Sequence, residues 1–303
     1  MTKQTKAYIA LLFVCIVWGT TYLALRIGVQ HYPAFLFAGI RQTIAGIILG
    51  GIALIVNKKV DLSLKNILHQ LLVGFLLLTI GNGMVTWGER FVTSGVAALI
   101  CSMMPIFAVS FNLLSSRSER FNSSIIAGMV LGICGVGLIF KNDIADLTNG
   151  NYLLGMGAIL LATCSWALGS VLNKRKKVSV NPMFNSAMQL FFGGIIMLAG
   201  SPLIDDYTNM QLGNKDAIAA LVYLIIFGSV LAYSAYMYVL NALPMGIATI
   251  YAYINPLVAV LLGYLILKEP LTVYTLLAFI TIIAGVYLVN KGYRKQHKNL
   301  SAE

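Results

Sequence analysis

Charge is scarce in this chain of 303 residues: only 10% are Asp, Glu, Lys or Arg, against about 25% in an average soluble domain. A water-soluble surface cannot be built from so few, which excludes the soluble globular class. Acidic residues are scarcest, ten against 21 Lys and Arg, and none lies near the middle of an apolar run. That gap argues against a deeply buried carboxylate relay. Histidine is limited to His31, His69 and His297. They lie far apart, so the clustered His, Asp or Ser site of an integral-membrane enzyme is missing. No Gly-x-x-x-x-Gly-Lys loop is present, so ATP does not drive the chain directly. The four cysteines Cys15, Cys101, Cys134 and Cys164 sit inside apolar runs without metal-ligand spacing. They read as small buried hydrophobes, and neither a metal nor another cofactor is expected.

What is present is apolar length. Hydrophobic residues make up 59% of the chain, gathered into ten runs at 7–27, 34–56, 67–88, 92–114, 123–140, 152–172, 183–204, 217–239, 245–267 and 271–290. A membrane-spanning helix takes roughly 20 residues, so all are adequate, the fifth being slightly short. The expected fold class is an all-α integral membrane protein of ten transmembrane helices. The breaks carry turn or charge signals such as Asn57-Lys58-Lys59, Glu89-Arg90, Asp205-Asp206 and Lys268-Glu269-Pro270, and none has room for a soluble domain. Lys3 and Lys6 before the first run imitate a secretory signal, but that run carries a piece of the repeat described next and reads as retained.

The sequence repeats itself. Gly95, Ala97, Pro105, Ala108 and Val109 recur at one constant offset as Gly246, Ala248, Pro256, Ala259 and Val260. Trp18 answers Trp166, Gln42 answers Gln189, and Gly135-Val136 answers Gly285-Val286. Two units follow, 1–145 and 146–303, the second with a short basic tail. Five runs per unit is an odd number, so the second enters the bilayer upside down and the pair forms an inverted repeat, a pattern of transporters that bind substrate between repeats.

Basic residues are distributed unevenly among the loops. If both termini are cytoplasmic, that side holds Lys58, Lys59, Lys65, Arg117, Arg120 and the 174–177 cluster, while the other holds only Arg26, Arg90, Lys141, Lys215 and Lys268. This is the positive-inside pattern. It accounts for most of the net charge of +11 and removes nucleic acid as a partner, because the charges are dispersed over one face with no soluble module behind them.

The first unit carries Trp18-Gly19-Thr20-Thr21, Arg41, the stretch 93–99, Pro105, Glu119 and the stretch 132–138. The second carries Ser165-Trp166-Ala167, the stretch 243–249, Pro256, Lys268-Glu269-Pro270 and Ala284-Gly285-Val286. In that order and twice over, these residues resemble the EamA domains of the drug/metabolite transporter superfamily. The resemblance implies ten helices, cytoplasmic termini, a bacterial inner membrane, a central cavity between the halves, and export or exchange of small metabolites. The chain departs from the pattern at Met188, where the second half lacks a counterpart of Arg41, and at Glu119, which has no preceding glycine.

Polar and aromatic residues inside the runs define the expected substrate cavity: Trp18, Arg41, Asn82, Trp87, Trp166, Gln189, Tyr233, Tyr251 and Asn255. Amides are costly in hydrocarbon and must face protein or water, and aromatic rings stack on a ligand or grip a cation. Arg41 either binds an anionic group, or snorkels to an interface or pins helix ends by bonding carbonyls. Pro105 and Pro256 remove backbone donors within the fourth and ninth runs and are the expected helix kinks. Glu89-Arg90 has the look of a solvated turn, yet Glu89 is also the best carboxylate for proton coupling. Glu119 and Glu269 are expected to cap the helices that follow them. The pairs Gly46/Gly50 and Gly128/Gly132 are expected to pack helices within the molecule rather than to form a dimer seam. The leading function is a secondary transporter of a small amphipathic metabolite such as an amino acid, working by alternating access as a monomer or weak homodimer. A channel or receptor is the second reading and an integral-membrane enzyme the third.

Overall fold

A computed structural model describes residues 2–114, 122–142, 150–176, 180–243, 245–249 and 251–300. The described residues form helices joined by short turns: α1 (Lys3–Val29), α2 (Ala34–Val56), α3 (Leu64–Gly88), α4 (Ser94–Cys101 continued as Met104–Leu114), α5 (Ser123–Asn142), α6 (Gly150–Arg175), α7 (Pro182–Ile204), α8 (Lys215–Ala242), α9 (Met245–Ala248, then Tyr251–Leu262 and Gly263–Leu267) and α10 (Val273–Leu300). Eight helices among them are long and apolar enough to cross a membrane, and the apolar stretches Ser123–Gly135 and Ile254–Leu267 are shorter. Glu119 lies outside the described residues, as do Arg117, Arg120 and Pro244.

Side-chain oxygens start most of these helices. Thr2, Ser63, Thr93, Asn122, Asn181 and Asn214 each accept a hydrogen bond from the backbone N–H three residues on. Each satisfies a donor that has no partner within its helix. Two helix starts are capped from far along the chain. Asp205 accepts from Phe35 N at 3.2 Å and Leu36 N at 2.8 Å, at the start of α2. Glu269 accepts from Ser94 N at 3.0 Å, Ser94 Oγ at 2.7 Å and Gly95 N at 3.4 Å, at the start of α4. This corrects the expectation that Glu269 caps the next helix: Thr272 takes that place for α10, accepting from Thr275 N at 3.2 Å, and the carboxylate is drawn to the exposed N–H groups of α4.

Helix pairs that unite early and late parts of the chain are the backbone of the packing, chiefly α2 with α7 and α5 with α10. Glycine makes both contacts possible. A Cβ on Gly46 would meet Phe191 N at 2.6 Å, and one on Gly194 would meet Thr43 N at 2.5 Å. A Cβ on Gly128 would stand 2.4 Å from Gly285 O, and one on Gly285 only 2.6 Å from Gly128 O and 2.8 Å from Gly132 N. Without side chains the two backbones touch, and dispersion supplies the attraction that lipid does not. Gly46, Gly128 and Gly132 are therefore contacts within one molecule, whereas Gly50 meets only Ala187 Cβ, at 3.7 Å.

The outer surface is apolar, with Ile55 83% and Leu203 89% exposed. In water such a surface drives aggregation; in a bilayer it is solvated by lipid. Cys134 belongs to that exposed surface, contrary to the buried place expected of it, because its position on α5 faces away from α10; Cys15 is buried, and Cys101 and Cys164 are half-buried.

Two helices depart from α geometry in their middles. Phe75–Asn82 in α3 and Leu224–Leu231 in α8 are π-helical, and so is the last stretch of α9, Gly263–Leu267. The wider i→i+5 turn is rare and recurs at functional sites. In α4 the helix breaks at Ser102 and Met103 and resumes at Met104, the residue before Pro105, and Pro256 lies inside the Tyr251–Leu262 stretch of α9. The ring at either position removes an N–H from the ladder.

Candidate functional site

The π-helical turns of α3 and α8 face one central cavity of about 90 Å³. Roughly 10–15 Å³ suffices for one water, so several fit. Its walls come from α1, α2, α3, α4, α6, α7, α8 and α9. Trp18, Arg41, Asn82, Trp166, Tyr233, Tyr251 and Asn255 line it. Two residues of the expected set stand elsewhere. Gln189 lies behind Tyr233, accepting from its hydroxyl at 2.6 Å. Trp87 sits at the far end of α3 against Phe91, with ring centroids 4.8 Å apart, and beside the Phe35, Ala38 and Met197 cluster.

One wall is aromatic. Trp18 is its hub, with ring centroids 4.9 Å from Tyr236, 5.0 Å from Tyr251 and 5.5 Å from Trp166, the last two edge-to-face. Such pairs match the positive edge of one ring to the negative face of the next. The Trp18 indole N–H donates to Gly228 O at 3.1 Å, tying α1 to the π-helical turn of α8.

A second wall is polar. Arg41 Nε donates to Ser229 Oγ at 2.8 Å and Nη1 to Asn82 Oδ1 at 3.4 Å. Gln42 Nε2 donates to the same Asn82 oxygen at 3.0 Å, and Ser229 Oγ donates to Gln42 Oε1 at 3.0 Å, closing a four-residue ring. Asn82 ends one π-helical stretch and Ser229 lies in the other, so the distorted turns deliver the partners that hold Arg41. Arg41 is 3% exposed. The second reading of its role, snorkelling to an interface, does not fit that burial.

Glu89 is not among the residues that line the cavity. It is fully buried, and neither carboxylate oxygen has a hydrogen-bond partner. The solvated turn expected from Glu89-Arg90 is thus corrected. Arg90 turns out over the Phe91 ring, 5.6 Å from its centroid, while Glu89 turns in. Arg26 bonds the Glu89 backbone carbonyl rather than its carboxylate. Burial pushes the Glu89 pKa well above the ordinary carboxylate value; the Arg26 charge pulls it back, Glu269 adds to the rise, and Arg41 opposes it. Tyr22 and Cys101 also line the cavity.

A buried polar chain leads from the cavity to the end of the bundle that carries Asn57 and Lys176. Gln189 Nε2 donates to Gln70 Oε1 at 2.6 Å and Asn173 Oδ1 at 2.9 Å, Gln70 Nε2 to Asn66 Oδ1 at 2.9 Å, and Lys176 Nζ to that same Asn66 oxygen. Sequence reading passed over Tyr22, Gln42, Ser229, Tyr236, Gln70 and Asn66. Their signal was the one used for the residues it did select, a polar side chain inside an apolar run, but Ser and Tyr are too common there to stand out.

Among the described residues no group of His, Cys, Asp or Glu is placed to hold a metal ion. The cavity can surround a small solute with an aromatic face and, beside it, a hydrogen-bonding, positively charged one.

Comparison with known proteins agrees with a transporting role. The EamA-like transporter family matches the chain twice, over residues 5–141 and 153–291. The chain is 35% identical over 284 residues to the inner membrane transporter YedA of Escherichia coli (strain K12), covering 93% of this chain and 90% of YedA. Protein PecM of Dickeya dadantii (strain 3937) is 31% identical, covering 90% of this chain and 88% of its own. The transporter YoaV of Bacillus subtilis (strain 168) is 25% identical, with 94% and 97% covered. A crystal structure at 16% identity superposes with a TM-score of 0.65, covering 94% of this chain and 96% of its own, and shares the fold. The chain is a multi-pass membrane protein and belongs to the EamA-like transporter family.

Proposed function

We propose that the chain is a secondary transporter that carries a small amphipathic metabolite, of the kind of an amino acid, out of the cell or in exchange for another, by opening one central cavity alternately to the two sides of the membrane. The carrying observation is the cavity itself, whose aromatic and polar walls draw on helices from both ends of the chain. The units 1–145 and 146–303 act as two inverted five-helix repeats, ten crossings in all. The matching π-helical turns of α3 and α8, and the pairing of α2 with α7 and α5 with α10, support that division. Both termini lie on the cytoplasmic side, in keeping with the basic residues of the loops there. Pro105 and Pro256 loosen α4 and α9 so that each can bend as the cavity changes sides. Glu89, buried and unpaired, takes up and releases the coupled proton, because a carboxylate without partners is held neutral until the cavity admits water.

Counterflow in proteoliposomes tests this reading. Vesicles loaded with candidate metabolites and given traces of the labelled compound should accumulate label transiently above equilibrium for at least one of them. Ohmic current without counterflow defeats the carrier reading in favour of a channel.

A further inference from the structure

We propose that Arg41 reads a carboxylate on the transported solute, so that the substrate class is a small monocarboxylate with an apolar or aromatic body. This deepens the transporter reading above and rests on it. A guanidinium inside a membrane protein is costly unless paired or watered. Arg41 is 3% exposed, and among the described residues no carboxylate bonds it; neither oxygen of buried Glu89 has a hydrogen-bond partner there. A structural arginine would spend its donors on helix-end carbonyls or a neighbouring acid. Arg41 spends two of its five N–H groups, on the Ser229 hydroxyl and the Asn82 amide oxygen, both neutral. That leaves the outer edge of the guanidinium free beside the cavity it lines.

The ring through Gln42, Asn82 and Ser229 fixes the guanidinium plane, and a fixed plane is what bidentate binding of a carboxylate needs. Among the described residues, Arg41 is also the only charged one lining the cavity. One cation suits one negative charge; a phosphate or dicarboxylate would leave a second charge buried without a partner. Trp18 and Arg41 flank the same turn, since Trp18 bonds Gly228 O and a Cβ on Gly228 would stand 3.2 Å from Arg41 Nη2. A solute held by its carboxylate at Arg41 therefore lays its body against the aromatic wall.

The purified protein reports binding through its own fluorescence, because two of its three tryptophans, Trp18 and Trp166, line the cavity. The probes are the standard amino acids and short aliphatic and aromatic carboxylic acids, each paired with its primary amide. At least one acid should bind about tenfold to hundredfold more tightly than its amide, the range of a lost hydrogen-bonded charge pair, and Arg41→Gln should shrink that ratio to near one. Gly228→Ala is the second variant: its Cβ crowds Nη2 and Thr21 Cγ2, at 3.0 Å, and should weaken the acid while sparing the amide. Equal binding of acid and amide by the unaltered protein, a ratio that survives Arg41→Gln, or equal weakening of both by Gly228→Ala overturns the assignment. So does failure of every acid to bind, and counterflow of neutral or cationic solutes in that case still upholds the transporter reading.

Discussion

Replacing Glu89 with Gln gives a test of the proton site that needs no knowledge of the substrate. In the unfolded chain the carboxyl titrates near its ordinary value of 4.5; in the fold, burial raises it well above that, with Arg26 and Arg41 opposing and Glu269 adding. The folded protein therefore holds up to one more proton than the unfolded chain in the window that begins near 4.5 and ends at the raised value. Stability falls as pH rises through that window, since unfolding there releases a proton. One proton sets a ceiling of about 1.4 kcal/mol per pH unit, on the order of 3 °C per unit in midpoint for a domain of this size. Gln mimics the shape of the neutral acid and titrates nowhere, so Glu89→Gln removes the slope. Thermal unfolding in detergent, followed by tryptophan fluorescence at half-unit steps from pH 5 to pH 8, should show the unaltered protein losing ground to the variant as pH rises. Parallel curves for the two proteins refute the argument, because a carboxylate that is charged at every pH in the series contributes no difference. In counterflow the variant should likewise lose pH dependence.

Glycine contacts give a second expectation. Gly128→Val puts a branched side chain where even a Cβ would stand 2.4 Å from Gly285 O, and should cost about 1–3 kcal/mol of stability by overpacking, read as a lower unfolding midpoint. Gly157→Ala, with nothing within 4 Å of the new Cβ, should be neutral or stabilise by up to about 1 kcal/mol through helix propensity; equal loss in both variants contradicts the account. At the start of α4, Glu269→Ala leaves Ser94 N and Gly95 N without their acceptor and should cost roughly 1–3 kcal/mol. Glu269→Gln, which keeps one acceptor oxygen, should cost less, and the order of the two midpoints checks it.

Hydrophobic length made the helices legible. A run of some twenty apolar residues bounded by Ser, Thr, Asn or Pro has one stable form in lipid, and α2 begins and ends where its run does, at Ala34 and Val56. The aromatic and amide residues of the site were legible for a related reason: Trp18, Asn82 and Asn255 are expensive in hydrocarbon and must face something else. Glu89 was misleading, since next to Arg90 its charge looks locally balanced. The fold separates the two, sending Arg90 to the Phe91 ring and Glu89 inward. The π-helical turns left no trace either, because no residue type demands i→i+5 bonding and the turn is set by what α3 and α8 pack against.

The sequence by itself determined that the chain lies in a membrane, that it is helical, that its apolar and small residues recur in two halves, and which few polar residues had to be accounted for. These are local quantities, fixed by composition and spacing against the hydrocarbon thickness. Tertiary structure alone decided the rest: that Glu269 caps α4 rather than the helix beside it, that Gln189 stands behind Tyr233 instead of lining the cavity, and that Arg41 is held by Ser229 and Asn82 with donors to spare. Each depends on which groups helices distant in sequence bring within hydrogen-bond reach, about 3 Å.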